Sequence, residues 1–130
     1  MKTSPEIINE LGPNEIFVFG SNTAGIHGLG AAKQALQFGA VLGQGIGFFG
    51  RTYAIPTKDH RIKTLPLSRV AEYVSDFIDF TEQHESLKFL VTKIGCGLAG
   101  FSSSEIAPLF KRALNLENIY LPQEFINIIS

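Results

Sequence analysis

This chain of 130 residues lacks several features that would place it in a specialised class of protein. Tryptophan is absent and Cys96 is the one cysteine, so no disulfide can form within the chain and a reducing compartment is expected. No segment approaches about 18 consecutive apolar residues, and the opening MKTSPEIINELG has no apolar region of the signal-peptide kind. We therefore expect no signal peptide, no membrane span, no membrane partner and a cytoplasmic location.

A strong net charge of either sign is missing as well. Eleven Lys and Arg stand against 12 Asp and Glu, for a net charge of −1, and the basic residues are spread along the chain. A nucleic-acid-binding surface usually carries a basic patch, so no nucleic-acid partner is expected. Aspartates are few and no His/Cys cluster has metal-ligand spacing, which argues against paired-carboxylate glycoside hydrolysis, a metal site or a cofactor.

The apolar residues that are present occur in short runs typical of buried strands. EIFVFG (15–20) is a short, continuously apolar run, as in strands that are covered on both faces, and LKFLVTKIG (87–95) is predicted as a second buried strand. RTYAIPT, which stops at Pro56, and NIYLP are predicted as further strands.

Helices are predicted between these strands. SPEIINELGP is predicted as a short helix with Ser4 as its N-cap, and LGAAKQALQFG as a helix closed by Gly39. SRVAEYVSDFIDFTEQH has apolar residues at helical spacing, and SSSEIAPLFKRAL begins with a capping box from Ser102 to Glu105 and is kinked at Pro108. PQEFINII reads as a terminal helix or an extension. The alternation predicts one α/β domain over residues 1–130, a three-layer α/β/α sandwich around a mostly parallel sheet.

Two glycine-rich loops each follow a predicted strand and lead into a predicted helix. They read GSNTAGIHGLG (20–30) and GCGLAGFSSSE (95–105). Ligands of parallel α/β sheets bind beyond the carboxyl ends of the strands, and loops with many free N–H groups suit phosphate. Neither loop matches the established nucleotide-binding fingerprints. In the alternative interpretation, the glycines only permit tight turns and close packing of the helices.

Three segments of the chain resemble the macrodomain signature. FVFGSN followed by GLGAAKQAL is similar to the family's strand ending in NAAN with its glycine loop and alanine-rich helix. GCGLAGF is similar to the family's STGVYGF loop, and GFFGRTYAIPT to its strand GYNLPAKYVIHT. The motifs occur in the family's order and span residues 16 to 121. The chain therefore resembles a compact, bacterial or phage type of macrodomain.

The resemblance implies a ligand-binding cleft between the two loops. Macrodomains bind ADP-ribose and related NAD metabolites, so a small-molecule ligand of this class is expected. Asn22 would lie beside the distal ribose, and Gly28 and Gly30 near its reactive carbon. The family's aspartate that holds the adenine amine has no counterpart, because no aspartate precedes Asp59. The ligand-binding residues so implied are Ser21, Asn22, Gly25, Gly28, Leu29, Gly30, Gly95, Cys96, Gly97, Leu98, Ala99, Gly100 and Phe101.

Three functions follow as alternatives from these residues. Asn22 and His27 are the candidate catalytic residues for placing a water at an ADP-ribosyl bond, although Asn22 could serve the loop backbone and His27 could cap a turn. The second alternative is a non-catalytic module that sequesters or senses an NAD-derived signal. The third is a small enzyme that uses Cys96 with His27 for acyl or amide chemistry. The oligomeric state is open.

Overall fold

A five-stranded sheet forms the centre of the computed structural model, which describes residues 2–130. Its strands are β1 Glu15–Asn22, β2 Gly47–Phe49, β3 Thr52–Lys58, β4 Lys88–Val91 and β5 Ile119–Tyr120. They lie in the order β2-β3-β1-β4-β5. β1 pairs in parallel with β3 and β4, and β5 pairs in parallel with β4, while β2 is antiparallel to β3. The predicted α/β class with a mostly parallel sheet is confirmed.

Four α-helices connect or flank these strands. They are α1 Gly30–Ala35, α2 Leu67–Glu82, α3 Ser103–Ile106 and α4 Gln123–Ile129, with 3-10 helices at Leu36–Phe38 and Ala107–Asn115. Gly39 ends the first 3-10 helix at φ +108°, as predicted. The predicted capping box between Ser102 and Glu105 is present, but α3 gives way to a 3-10 helix at Ala107 because Pro108 has no N–H to continue the α-helical bonding. None of the helices formed by residues 2–130 is long and apolar enough to cross a membrane.

Two apolar clusters cover the opposite faces of the sheet. Phe17 and Phe19 of β1 pack with Ile8 and α1 on one face. Ile16 and Val18, which alternate with them, pack on the other face with α2, α4 and the second 3-10 helix. Because successive side chains of a strand point to opposite faces, a central strand covered by helices on both sides is apolar throughout. This arrangement is compatible with an α/β sandwich.

The N-terminal segment corrects the sequence prediction, since SPEIINELGP is not a helix. Ser4 does not cap; its hydroxyl donates to the Val91 carbonyl at 2.7 Å. Thr3 forms a parallel bridge with Leu121, and Ile8 is buried in the cluster around Phe17. Contacts with residues far along the chain therefore override the local helix signals.

β3 also runs further than predicted, since it continues past Pro56 to Lys58. β2 pairs only with Thr52–Ala54, so no strand covers this side of β3 beyond Ala54. Proline is tolerated where one side of a strand has no partner. β2 itself is missing from the sequence prediction, because three residues are too few to show the alternation of apolar and polar side chains that is typical of a strand.

Candidate functional site

The strands β1, β3 and β4 end side by side at one edge of the sheet, where both glycine-rich loops begin. A cleft of about 340 Å³ lies between the loops, within the volume range of small-molecule sites. The predicted residues that line it are Ser21, Asn22, Gly28, Leu29, Gly30, Gly95, Gly97, Leu98 and Ala99. The predicted residues that do not line it are Gly25, His27, Cys96, Gly100 and Phe101.

Part of the lining is not among the residues predicted from the sequence. The further lining residues are Gly20, Ile26, Ala31, Ala32, Thr57, Lys58, Ile62, Thr92, Lys93 and Ile94. Lys58 ends β3, and Thr92 and Lys93 follow β4 directly. The rule that ligands bind beyond the carboxyl ends of parallel strands points to these positions once the strand ends are known.

The side chain of Asn22 stabilises the first loop through two hydrogen bonds to the backbone of Ile26. Its Oδ1 accepts the Ile26 N–H at 3.0 Å and its Nδ2 donates to the Ile26 carbonyl at 2.8 Å. These two bonds fix the orientation of the amide and leave one Nδ2 hydrogen and one Oδ1 lone pair free. Asn22 thus serves the loop backbone and still lines the cleft.

His27 lies behind the first loop rather than in the cleft. The ring is 2% exposed and packs edge-on against Phe19. Its Nε2 lies 3.1 Å from the Val41 carbonyl and 3.2 Å from the Gln44 carbonyl, so Nε2 carries the hydrogen and donates to both. Nδ1 is buried and has no partner within residues 2–130. The contacts of His27 tie the loop to the segment 41–44.

The glycines between α1 and β2 support the first loop by backbone packing. A Cβ at Gly45 would overlap the Asn22 carbonyl oxygen, and one at Gly25 would overlap the Gln44 nitrogen. The Gly43 N–H donates to the Gly25 carbonyl at 2.9 Å, and Ser21 Oγ donates to the Gly45 carbonyl at 2.5 Å. The close approach that these glycines allow is between two parts of the chain.

Gly28 and Gly97 differ from these packing glycines. Neither has a φ in the left-handed region, and a Cβ at either position would meet no atom within 4 Å. The conformation and packing of the chain therefore do not require glycine at either position. Both line the cleft, one from each loop, so the bare backbone there leaves room for a molecule to approach.

Each loop also offers N–H groups that the chain does not use. Within residues 2–130, the N–H groups of residues 28–30 and 97–99 donate to no acceptor. All six residues line the cleft. Successive free N–H groups bind anions, and they need a partner or water.

The charged side chains of the cleft are both cationic. Lys58 and Lys93 line it, and no carboxylate from residues 2–130 does. Lys93 Nζ lies 3.2 Å from a carboxylate oxygen of Glu124, whereas Lys58 forms no ion pair within the described residues. The Ser103 hydroxyl and then Lys93 hold the pKa of Glu124 below its usual value. The cleft itself therefore favours an anionic ligand.

Cys96 and Phe101, two residues predicted to bind the ligand, pack between the second loop and the apolar core. Gly95 has φ +77°, and a Cβ there would lie 3.2 Å from the Phe101 ring, so Phe101 packs under the loop. Cys96 Sγ lies 3.5 Å from the Ile94 carbonyl and 3.7 Å from Ser103 Oγ. Burial raises the pKa of the Cys96 thiol. A thiol held protonated beneath the loop does not favour Cys96 as a nucleophile.

A turn formed by residues 59–63 completes the cleft. Asp59 Oδ1 accepts the N–H groups of Arg61 at 2.8 Å and Lys63 at 3.0 Å. The bonds from Lys63 and Arg61 lower the pKa of Asp59. Thr64 Oγ1 donates to the Ala99 carbonyl at 2.9 Å, which joins this turn to the second loop. Asp59 is thus occupied in holding the turn.

A second cavity, of about 690 Å³, lies beside the cleft and shares Thr92 and Lys93 with it. Its polar side chains bond to one another. Gln123 accepts from Thr3 and donates to Asn127. Because the smaller cleft holds the unused N–H groups, we place the candidate site there.

Comparisons of this chain with protein-family models, with curated proteins and with solved structures find no match. The candidate site therefore rests on the geometry of the cleft and on the resemblance of its motifs.

Proposed function

We propose that this chain is a macrodomain-like protein that binds ADP-ribose or a related NAD-derived nucleotide in the cleft. The observation that carries the proposal is the pair Gly28 and Gly97, which line the cleft from the two loops and which neither conformation nor packing requires to be glycine. The unused N–H groups beside them suit the oxygens of a diphosphate. Lys58, which forms no ion pair within residues 2–130, adds positive charge to the cleft, whereas the charge of Lys93 is paired with Glu124.

The arrangement of the three macrodomain-like motifs supports the same ligand. In chain order, the first two lie on β1 and β3 and the third follows β4; these strands are neighbours in the sheet, and residues of all three motifs line one cleft. Motifs separated by tens of residues along the chain thus meet at one edge.

The lining favours binding without turnover. General acid–base catalysis most often uses an imidazole or a carboxylate within hydrogen-bonding reach of the reacting atoms. No imidazole or carboxylate of residues 2–130 lines the cleft, because His27 lies behind the loop. We therefore propose a module that sequesters or senses the nucleotide, and hydrolysis of an ADP-ribosyl bond becomes the second candidate, with Asn22 as the side chain nearest to that role.

Measuring both affinity and melting temperature on the same variants separates an effect on ligand binding from an effect on the stability of the fold. Isothermal titration calorimetry would measure ADP-ribose, NAD and inorganic pyrophosphate against the wild type, Gly28→Ala and Gly97→Ala. We expect both variants to melt like the wild type, since an added Cβ meets nothing, and to lose about tenfold or more in ADP-ribose affinity. Gly12→Ala is the matched control at the other end of β1, where the added Cβ would meet only the flexible Glu15 side chain.

Two results would contradict the proposal. One is the absence of binding to the wild type by any of the three compounds at millimolar concentration. The other is unchanged affinity in both cleft variants. Turnover is tested separately by incubating the protein with an ADP-ribosylated protein and measuring released ADP-ribose, for which we expect no release above the rate without protein.

A further inference from the structure

Ile62 adopts a backbone conformation that is costly for its side chain. Its φ is +64°, and the one other non-glycine residue with positive φ within residues 2–130 is Asn14. Asparagine visits the left-handed region readily, whereas a β-branched residue there is a genuine outlier. Glycine or asparagine would satisfy the turn at lower cost, so the turn does not explain the isoleucine.

The turn around Ile62 is held firmly enough to impose that conformation. Besides its two side-chain bonds, Asp59 donates its N–H to the Lys63 carbonyl at 2.7 Å and accepts the Ile62 N–H on its own carbonyl at 3.1 Å. Lys58 and Thr64 close the base of the turn with an antiparallel bridge. Strain held by its surroundings in this way clusters at binding sites.

Packing does not explain the isoleucine either. Ile62 is 42% exposed and belongs to neither apolar cluster. It lines the cleft together with three other exposed aliphatic side chains, from the first loop and the second loop. We call this set the aliphatic rim: Ile26, Leu29, Ile62 and Leu98, which are between 42% and 70% exposed.

The aliphatic rim borders the same cleft as the two lysines and the unused N–H groups. A ligand matched to these features carries both a phosphate group and an apolar, flat group. We infer that Ile62 and Leu98 of the rim hold the heteroaromatic base of the nucleotide by its faces, with Ile62 as a specificity-determining residue. Ile26 and Leu29 instead flank the part of the first loop that the proposed function assigns to the distal ribose. This inference rests on the proposed function and says how the base is held in a cleft without the family's aspartate.

Recognition by faces has a consequence for base selectivity. Hydrogen bonds to the edge of a base distinguish an amine from a carbonyl, whereas apolar contact with its faces does not. No carboxylate of residues 2–130 lines the cleft to accept from an adenine amine. ADP-ribose and its hypoxanthine analogue, inosine diphosphate ribose, should therefore bind with similar affinity, and both more tightly than pyrophosphate.

The decisive variant is Ile62→Asn, which fits the turn and removes the apolar side chain. We expect it to melt at the same temperature as the wild type or higher. Its affinity for ADP-ribose should fall about fivefold, as for partial loss of one buried aliphatic side chain, while its affinity for pyrophosphate stays the same. Ile7→Asn, at an isoleucine that is 74% exposed and outside the cleft, is the control and should change neither affinity.

The affinities of Ile62→Asn and the wild type distinguish the inference from the proposed function. Equal affinity of Ile62→Asn and the wild type for ADP-ribose would overturn the inference while leaving the proposed function in place. A parallel loss of pyrophosphate affinity would also overturn it, because the residue would then act on the phosphate site. A preference of about tenfold or more for adenine over hypoxanthine would overturn recognition by faces. If the wild type binds neither ADP-ribose nor pyrophosphate, the proposed function and the inference are overturned together.

Discussion

Replacing Gly45 by alanine tests whether the wall of the cleft is built by contact between two backbones. The added Cβ would overlap the Asn22 carbonyl oxygen, and it would lie 2.9 Å from the Asn22 carbonyl carbon and 3.0 Å from the Gly25 nitrogen. All three atoms belong to the main chain, so no side chain can rotate away. The segment around Gly45 must move away from the end of β1.

The size of the effect follows from these distances. Non-bonded carbon atoms rest at about 3.5–4.0 Å, and the overlapping carbonyl oxygen is closer still, so the two segments must separate by more than ~1 Å. Such overpacking costs about 1–3 kcal/mol. The same movement weakens the buried bond from Ser21 Oγ to the Gly45 carbonyl, for about 1 kcal/mol more. Gly45→Ala should therefore lower the free energy of unfolding by about 2–4 kcal/mol, or lower the melting temperature by about 8–16 °C.

Urea unfolding followed by circular dichroism measures this loss. Gly28→Ala is the matched control, because it adds the same methyl group to the same wall where it meets no atom within 4 Å. A change in urea midpoint for the control and no change for Gly45→Ala would refute the reasoning. Equal midpoints for all three proteins would refute it as well, since the wall would then tolerate a Cβ at the contact.

Three further predictions concern the supports of the cleft. The N–H groups of Lys63 and Arg61 lower the pKa of Asp59. The contribution of Asp59 to stability is therefore present above about pH 4 and is lost as the pH falls through the lowered pKa. Between pH 7 and pH 3, the melting temperature of Asp59→Asn should fall less than that of the wild type. Burial raises the pKa of Cys96, so iodoacetamide should react slowly with the native protein at pH 7, and Cys96→Ser should bind ADP-ribose like the wild type. Ser102→Ala removes the capping box at α3, and urea unfolding should report a loss of about 1 kcal/mol.

The sequence predicts those parts of the fold that local patterns determine. The strand β1, the helical period of α2 and the capping box at Ser102 are found where expected, and β4 lies within its predicted run but ends at Val91 rather than Gly95. The helix predicted over SPEIINELGP fails because its local signals compete with distant contacts, above all the bond from Ser4 to Val91. β2 is missed because its pairing with β3 arises from the fold rather than from its three residues.

The candidate site is predicted in position but only partly in composition. Glycine loops after β1 and β4 can be recognised from the sequence, and the parallel sheet brings them together. The sequence does not show which loop residues face the cleft, because His27 and Cys96 alternate with lining residues in a way that depends on packing behind each loop. The sequence does not show that the turn carrying Ile62 approaches the second loop, because this approach depends on the bond from Thr64 to Ala99.

The two kinds of glycine explain how the cleft can hold its N–H groups ready for a ligand. Gly25 and Gly45 let the chain pack against the first loop, and Asn22 and His27 fasten the same loop by hydrogen bonds. This loop is therefore ordered when the protein folds, and a ligand need not order it on binding, which favours affinity. It follows that Gly45→Ala, though it touches no ligand, should weaken ADP-ribose binding at temperatures where the variant is still folded. Calorimetry on the folded variant measures this loss, and an unchanged affinity would show that the loop keeps its shape without its support.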